Sequence, residues 1–329
     1  MSVKPIKVGV VGIGKMGALH LAKYAANPEV ELVGVFDPSE EKTQAAAQKF
    51  GVSVYKNLTD LLFDSDAVSI ASPTATHYHV ARQAFESGVH VLIEKPLTEH
   101  VLEAEELVNL AEEKNLIFQV GFVERFRFLS LCEGIDLNPV RFIEGYRLAP
   151  SPGREQNIDV VADLMIHDLD LVLSLIPEEP CHVSAIGVPV LTDLVDLANV
   201  RLEFPSGAVA NLNASRVSSR AERKFRLFTL NTYASIDLMA NRASIQHRSP
   251  TRGMEHRLVE LPAIDALYNQ CAQFITCVRN HQSPLVTGKD GLKALRYAKI
   301  IREKIQERAA WNLPSIPFLV DNFTKQRQP

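Results

Sequence analysis

Short apolar runs alternate with stretches of helical spacing over the first 120 residues, and the two periods predict an ordered series of elements. Strands are expected at 6–11, 31–36, 52–55, 66–71, 90–93 and 117–120, where β-branched and apolar residues run together between turn residues. Helices are expected at 18–26 and 40–50, over a capped turn at 57–63, at about 77–87 and from Thr98, read as the cap, through Asn115. Residues 72–76 read as a loop at the carboxyl edge. Strands regularly separated by helices make parallel βαβ units, so residues 1–121 form an α/β domain with a doubly wound parallel sheet.

Beyond residue 121 the pattern changes. Strands are expected at 140–148, 181–190, 197–204, 208–217, 224–230 and 234–239, with Pro205-Ser206-Gly207 as a hairpin signal. Strands without helices between them imply a mixed, mainly antiparallel sheet, so residues 122–329 read as a separate α+β domain. One helix, 159–176, is apolar almost all round and therefore buried. Against that background Asp163, His167 and Asp170 stand at i, i+4 and i+7 on one face, which must meet a partner or a cleft because unpaired buried charge is costly. Helices at 264–279 and 290–307 close the domain, the second with Asp290 as its cap. The tail 311–329 carries Trp311, Ile316, Phe318, Leu319 and Val320 and is expected to pack on a surface or on a neighbouring subunit.

Composition narrows the function. A chain of 329 residues with 46% hydrophobic and 22% charged residues is an ordinary globular protein of about two domains. Its net charge of -4 offers no basic excess for phosphate neutralisation, so no nucleic-acid partner is expected. No apolar run reaches membrane-spanning length, and residues 6–11 are too short for a secretory core, which leaves the cytoplasm as the expected location. Cys132, Cys181, Cys271 and Cys277 lack metal or redox spacing and are expected to be reduced core thiols, with no metal site.

Candidate chemistry gathers at the carboxyl ends of the predicted parallel strands. Gly12-Ile13-Gly14-Lys15-Met16-Gly17 joins the first strand to a helix, the context in which GxGxxG binds a dinucleotide pyrophosphate. Asp37 ends the second strand 20 residues beyond Gly17, where an acid meets the ribose hydroxyls; Pro38 and Ser39 follow rather than arginine, which favours NAD over NADP. The alternative for Asp37 is a plain turn residue. Lys95 closes the apolar run 90–93, and Pro96 holds it on an extended backbone. His77 and His79 are two apart, do not share a helical face, and read as local hydrogen-bonding groups beside the dinucleotide.

Taken together, the glycine loop, Ala71-Ser72-Pro73-Thr74 with His77, the run from Gly88 through Glu94-Lys95-Pro96-Leu97, and the helix segment from Asp163 through His167-Asp168-Leu169-Asp170 resemble the Gfo/Idh/MocA oxidoreductases over nearly the whole chain. The resemblance implies a Rossmann domain followed by a mixed-sheet domain that supplies the substrate site and a homodimer or homotetramer interface. It implies hydride transfer between a nicotinamide and a sugar-type carbinol. By it, Lys95 polarises the reacting oxygen, His167 accepts or donates the proton, and Asp163 positions substrate. The implied cofactor contacts are Gly12 through Gly17, Asp37, Ser72, Pro73, Thr74, His77, Glu94 and Lys95.

The segments 119–126 and 214–220, with Lys224 and Arg226, are further similar to a bacterial subgroup that includes UDP-N-acetylglucosamine 3-dehydrogenases, whose product is transaminated toward lipid A precursors. That subgroup often carries histidine where this chain has Phe122, and Asn-Pro where it has Arg127-Phe128. Arg125, Arg147, Arg154 and Arg216 are the guanidinium groups suited to a substrate diphosphate, or else ordinary structural arginines. The alternatives are a dehydrogenase of a free polyol or sugar, which needs no diphosphate site, and a dinucleotide-binding regulator without turnover, for which Lys95, Asp163 and His167 would have no use.

Overall fold

The computed structural model describes residues 4–151, 158–249, 251–261 and 265–309. Its first half alternates as β1 (Ile6–Val11), α1 (Lys15–Ala25), β2 (Val30–Phe36), α2 (Glu40–Phe50), β3 (Ser53–Val54), α3 (Leu58–Phe63), β4 (Ala67–Ile70), α4 (Thr74–Glu86), β5 (His90–Ile93), α5 (Val101–Glu113) and β6 (Phe118–Val120). The strands are all parallel in the order β3-β2-β1-β4-β5-β6. Helices on both faces explain the near-continuous apolar runs: Val8, Val10, Val68, Ile70, Val91, Leu92 and Ile93 are all fully buried. Each large side chain so buried contributes roughly 1.5–3 kcal/mol before entropy is counted.

The second half contains α6 (Val123–Leu131), β7 (Phe142–Leu148), a π-helical turn (Val161–Met165) leading into α7 (Ile166–Leu175), β8 (His182–Val188), β9 (Leu197–Glu203), β10 (Val209–Ser215), β11 (Glu222–Phe228), β12 (Thr232–Asp237), β13 (Arg242–Ser249), β14 (Gly253–Glu260), α8 (Ala266–Asn280) and α9 (Gly288–Ala309). Its eight strands run β14-β13-β12-β11-β7-β10-β9-β8. Only β7 and β10 pair in parallel, so the sheet is mixed and mainly antiparallel.

Several expectations are corrected. Helix α4 begins at Thr74 rather than His77, and α5 starts after His100, with the Thr98 hydroxyl donating to the His100 carbonyl instead of capping. The cap of α9 is Thr287, whose hydroxyl accepts from Asp290 N, while Asp290 reaches back to Thr287 N in a capping box. The single helix expected over 159–176 is broken by the π turn. Helix α6 escaped the sequence because the charged Glu124 and Arg125 are buried among Phe126, Phe128 and Leu131, and the hairpin β13–β14 because only Ala243 and Ile245 in it are buried, so neither shows a clear apolar periodicity. Cys181 is exposed, whereas Cys132, Cys271 and Cys277 are buried, and all four are free thiols. The tail 311–329 lies outside the described residues.

A boundary at residue 121 marks the end of the parallel strands but not of their layer. Cys271, Phe274, Ile275 and Val278 of α8 join Val8, Val10, Leu21, Tyr24 and Val35 in one apolar cluster, so the chain returns to cover the first sheet. The segment before α9 also pairs with the edge strand β6, Val120 N donating to Val286 O at 3.1 Å. That contact covers an edge that would otherwise present unpaired amides.

Candidate active site

The glycine loop separates glycines required by packing from one that borders open space. A Cβ on Gly17 would lie 1.8 Å from the Gly12 carbonyl oxygen, and one on Gly12, at φ +86°, would lie 2.4 Å from Ser72 N. Both glycines are demanded by the chain's own packing. A Cβ on Gly14 would meet nothing within 4 Å. Gly14 precedes α1, whose first turn has no side-chain cap, so its amides face an open approach suited to a pyrophosphate. Ile13 is buried, Lys15 is exposed and Met16 half-buried. This cradle fits a dinucleotide.

Asp37 stands at the end of β2 beside that loop. Its carboxylate accepts from Ile13 N at 2.6 Å and from Ser39 N at 2.8 Å, which ties the loop to the acid that would meet the ribose. Ser72, Pro73 and Thr74 form the turn into α4, with the Ser72 hydroxyl 2.7 Å from that of Thr76. His77 is buried behind them. Its Nε2 lies 2.9 Å from the Ser72 carbonyl and its Nδ1 lies 3.0 Å from that of Pro96, so the ring staples the loop to the Lys95 segment. Burial pulls its pKa down against those carbonyls, which favour the proton.

Lys95 follows β5 and reaches across to the π turn. Its Nζ donates to the Asp163 carbonyl at 2.7 Å and to the Asp163 carboxylate at 3.2 Å. His167, one turn on, is half-buried, and its ring meets Phe122 edge-on with centroids 5.9 Å apart. Its Nδ1 is buried without a hydrogen-bond partner. Burial, then the charges of Lys95, Arg147 and Arg223, holds its pKa well below the usual imidazole range. A neutral imidazole beside a lysine ammonium is a proton acceptor next to an electrophile.

The remaining polar groups of the helix are met from α6 and β7. Arg125 forms a bidentate buried pair with Asp170, donates to the Leu285 carbonyl at 3.0 Å and approaches Asp290 at 3.5 Å. Arg147 grips Asp168 through Nε and Nη2 and reaches Glu124. Two of the four guanidinium groups expected at a diphosphate are thus consumed inside the fold. Arg216 is also buried, with Nη2 donating to the Ile158 carbonyl at 2.6 Å, while its Nη1 has no partner. Arg154 lies outside the described residues.

Asp168, Glu124 and Arg223 carried no isolated signal in the sequence. Their relation is a pairing across elements, Arg223 Nη1 donating to Glu124 at 2.8 Å.

A cavity of about 580 Å³ is lined by Thr74, Pro96, His100, Asp159, Ala162 and Arg302, and Lys95, Asp163 and His167 are not part of its wall. A hollow of about 780 Å³ at the opposite, amino end of the strands, beside His90 and His281, contains none of these groups. Among the described residues no cluster of three or more His, Cys, Asp or Glu side chains could hold a metal ion, and no helix is long and apolar enough to cross a membrane.

A glycine-rich strand-loop-helix turn open at the helix N-terminus, an acid bonded to that loop and a lysine that reaches a histidine-bearing helix suit a nicotinamide-dependent oxidoreductase. Residues 6–122 match the oxidoreductase family with an NAD-binding Rossmann fold, and residues 147–232 match the GFO/IDH/MocA C-terminal domain. The chain belongs to this Gfo/Idh/MocA family. It is 36% identical to UDP-N-acetylglucosamine 3-dehydrogenase of Acidithiobacillus ferrooxidans, over 92% of this chain and 97% of that protein. It is 26% identical to myo-inositol 2-dehydrogenase of Thermotoga maritima, over 94% of this chain and 99% of the relative. A solved structure of the Acidithiobacillus enzyme superposes with a TM-score of 0.87 at 37% identity, covering 93% of this chain and 99% of that one. Levoglucosan dehydrogenase in complex with NADH shares the fold, with a TM-score of 0.84 at 19% identity, 92% of this chain and 98% of that one being covered.

Proposed function

We propose that the protein oxidises the 3-hydroxyl of UDP-N-acetylglucosamine with NAD, giving a 3-keto sugar for transamination toward a lipid A precursor. The observation that carries the reaction is the Lys95–Asp163 contact beside His167, at the carboxyl edge of the dinucleotide domain. The substrate rests on the likeness to the Acidithiobacillus dehydrogenase, which extends over both domains.

Bound NAD supplies the hydride acceptor at this edge. Lys95 Nζ meets the reacting oxygen and stabilises the negative charge that grows there as the carbon–hydrogen bond weakens. Neutral His167 takes the hydroxyl proton, and Asp163 holds both the ammonium and a neighbouring hydroxyl in place.

A second reading, oxidation of a free polyol of the inositol type, is favoured by one observation: Arg125 and Arg147 are spent on Asp170 and Asp168. We further place the enzyme in the cytoplasm, in keeping with its four free thiols. We propose a homodimer or homotetramer formed through the outer face of the second sheet, where Phe142, Phe228 and Tyr233 stack with centroids 5.5 and 4.9 Å apart.

The deciding experiment follows NADH appearance with UDP-N-acetylglucosamine, N-acetylglucosamine, myo-inositol and glucose, with a ketone trap present. Turnover confined to the UDP-sugar is expected. Turnover with a free sugar or polyol in its place would transfer the assignment to the second reading.

A further inference from the structure

Beneath the Lys95 segment lies a buried polar chain that hydride transfer does not use directly. His20, on α1 three residues beyond Gly17, is fully buried. Its Nδ1 lies 2.5 Å from the Ser69 hydroxyl on β4, and its Nε2 lies 3.1 Å from Glu94 Oε1 at the end of β5. Glu94 is itself only 8% exposed. Its second oxygen accepts from the Lys95 amide at 3.4 Å, and its carboxylate lies so close to Gly121 that a Cβ there would stand 2.8 Å from Oε1. Gly121 is where the chain leaves the first sheet, its own amide donating to the Ile93 carbonyl at 2.8 Å.

An apolar trio would cost less to bury than a histidine and a carboxylate, since such pairs rarely repay their desolvation. What the polar chain adds is direction. Ser69, one residue before Ile70, and His20 orient the Glu94 carboxylate, which then abuts the two backbone positions that set where Lys95 and Phe122 project. Lys95 reaches Asp163, and Phe122 packs on His167.

We propose that His20 is a positioning residue: through Glu94 it holds the Lys95 and Gly121 backbone in register, so that the lysine of the first domain and the histidine of the second stay aligned across the cleft. The proposal rests on the reading of Lys95 as the group that meets the reacting oxygen. His20 itself is fully buried and offers no surface to a substrate or cofactor. A misplacement of about 1 Å at a reacting centre costs up to roughly 100-fold in rate.

The test combines hydrogen–deuterium exchange with steady-state kinetics on the full chain. His20→Leu removes the donor to Glu94, Glu94→Gln keeps the volume without the charge, and His20→Gln restores a donor. Expected for the first two are exchange about tenfold faster in peptides covering 94–97 and 119–122, and kcat lower by about 10–100-fold, with NADH affinity of His20→Leu, which alters no cofactor contact, changed by less than about threefold. His20→Gln is expected to return both readouts most of the way. Unchanged exchange in His20→Leu and Glu94→Gln, or a kcat loss in His20→Leu matched by an equal loss of NADH affinity, would overturn the proposal. Should His20→Leu fail to fold, the exchange of Glu94→Gln decides alone. A wild-type protein inactive on every sugar would count against the dehydrogenase reading, while the exchange measurement would still decide the role of His20.

Discussion

Lys95 Nζ is bound by Asp163 twice, through the backbone carbonyl at 2.7 Å and through the carboxylate at 3.2 Å, so the contact between the two domains survives loss of the Asp163 side chain. Lys95→Ala is therefore expected to lower kcat by about 100-fold or more with NADH affinity nearly unchanged, whereas Asp163→Ala should cost only about tenfold. Steady-state kinetics beside an NADH fluorescence titration checks both. Undiminished turnover in Lys95→Ala would remove that residue from the reaction.

The pH dependence follows from His167. Burial first, and then the charges of Lys95, Arg147 and Arg223, lowers its pKa well below the usual 6.5 or so. The neutral ring persists as pH falls through 6.5, and the acid limb of kcat/KM should lie below that value. The unfolded chain binds a proton near 6.5 while the folded one does not, so stability also declines as pH falls from 6.5 toward the folded pKa. Arg223→Met removes one of the three charges and should move the acid limb upward. A limb that stays in place would mean that Arg223 does not reach the ring electrostatically.

Gly14→Ala and Gly17→Ala should behave differently. The Gly14 variant has room for its methyl group and is expected to lose less than about 1 kcal/mol of stability while losing NADH binding. The Gly17 variant would drive Cβ into the Gly12 carbonyl and should fail to fold. Thermal melts and NADH titration separate the two, and retained binding in Gly14→Ala would show that the cofactor does not approach there.

Asp170→Ala leaves the buried Arg125 guanidinium with only the more distant carboxylate of Asp290 and should cost about 3 kcal/mol in urea unfolding. Replacing both partners, as Arg125→Met with Asp170→Leu, should recover a large part of that loss. An Asp170→Ala cost below about 1 kcal/mol would mean that the pair is solvated in solution.

Asp37→Ala frees Ile13 N and Ser39 N and removes the acid proposed to meet the ribose. NADH affinity is expected to fall about tenfold, with discrimination against NADPH relaxed. Parallel titrations with both cofactors measure this. Unaltered values would make Asp37 a turn residue and nothing more.

Much of the site was legible because its signals are local. The glycines, Asp37 and Lys95 fall at strand ends, where one stretch of sequence states both the element and the chemistry. The stripe Asp163, His167 and Asp170 was visible as polarity on an apolar helix. Its members, however, meet different partners: Lys95 for the first, Phe122 for the second, Arg125 for the third. Arg125 and Arg147 read as phosphate-binding groups because a guanidinium carries no sequence mark of whether a carboxylate already holds it.

The order of alternating strands and helices, the parallel sheet and the dinucleotide loop follow from periodicity and turn chemistry over a few residues at a time, and the sequence by itself determined them. Tertiary structure alone decided which charges are spent. Pairing Arg147 with Asp168, Arg223 with Glu124, and His20 with both Ser69 and Glu94 joins positions 21, 99, 49 and 74 residues apart. It also returned α8 to the first sheet, because the apolar face of that helix needs a surface that only the assembled β1, β2 and α1 provide. Burial and ion pairing are properties of the packed chain: whether a charged side chain is paid for by a neighbour or left to act on a ligand depends on distances that no window of sequence contains.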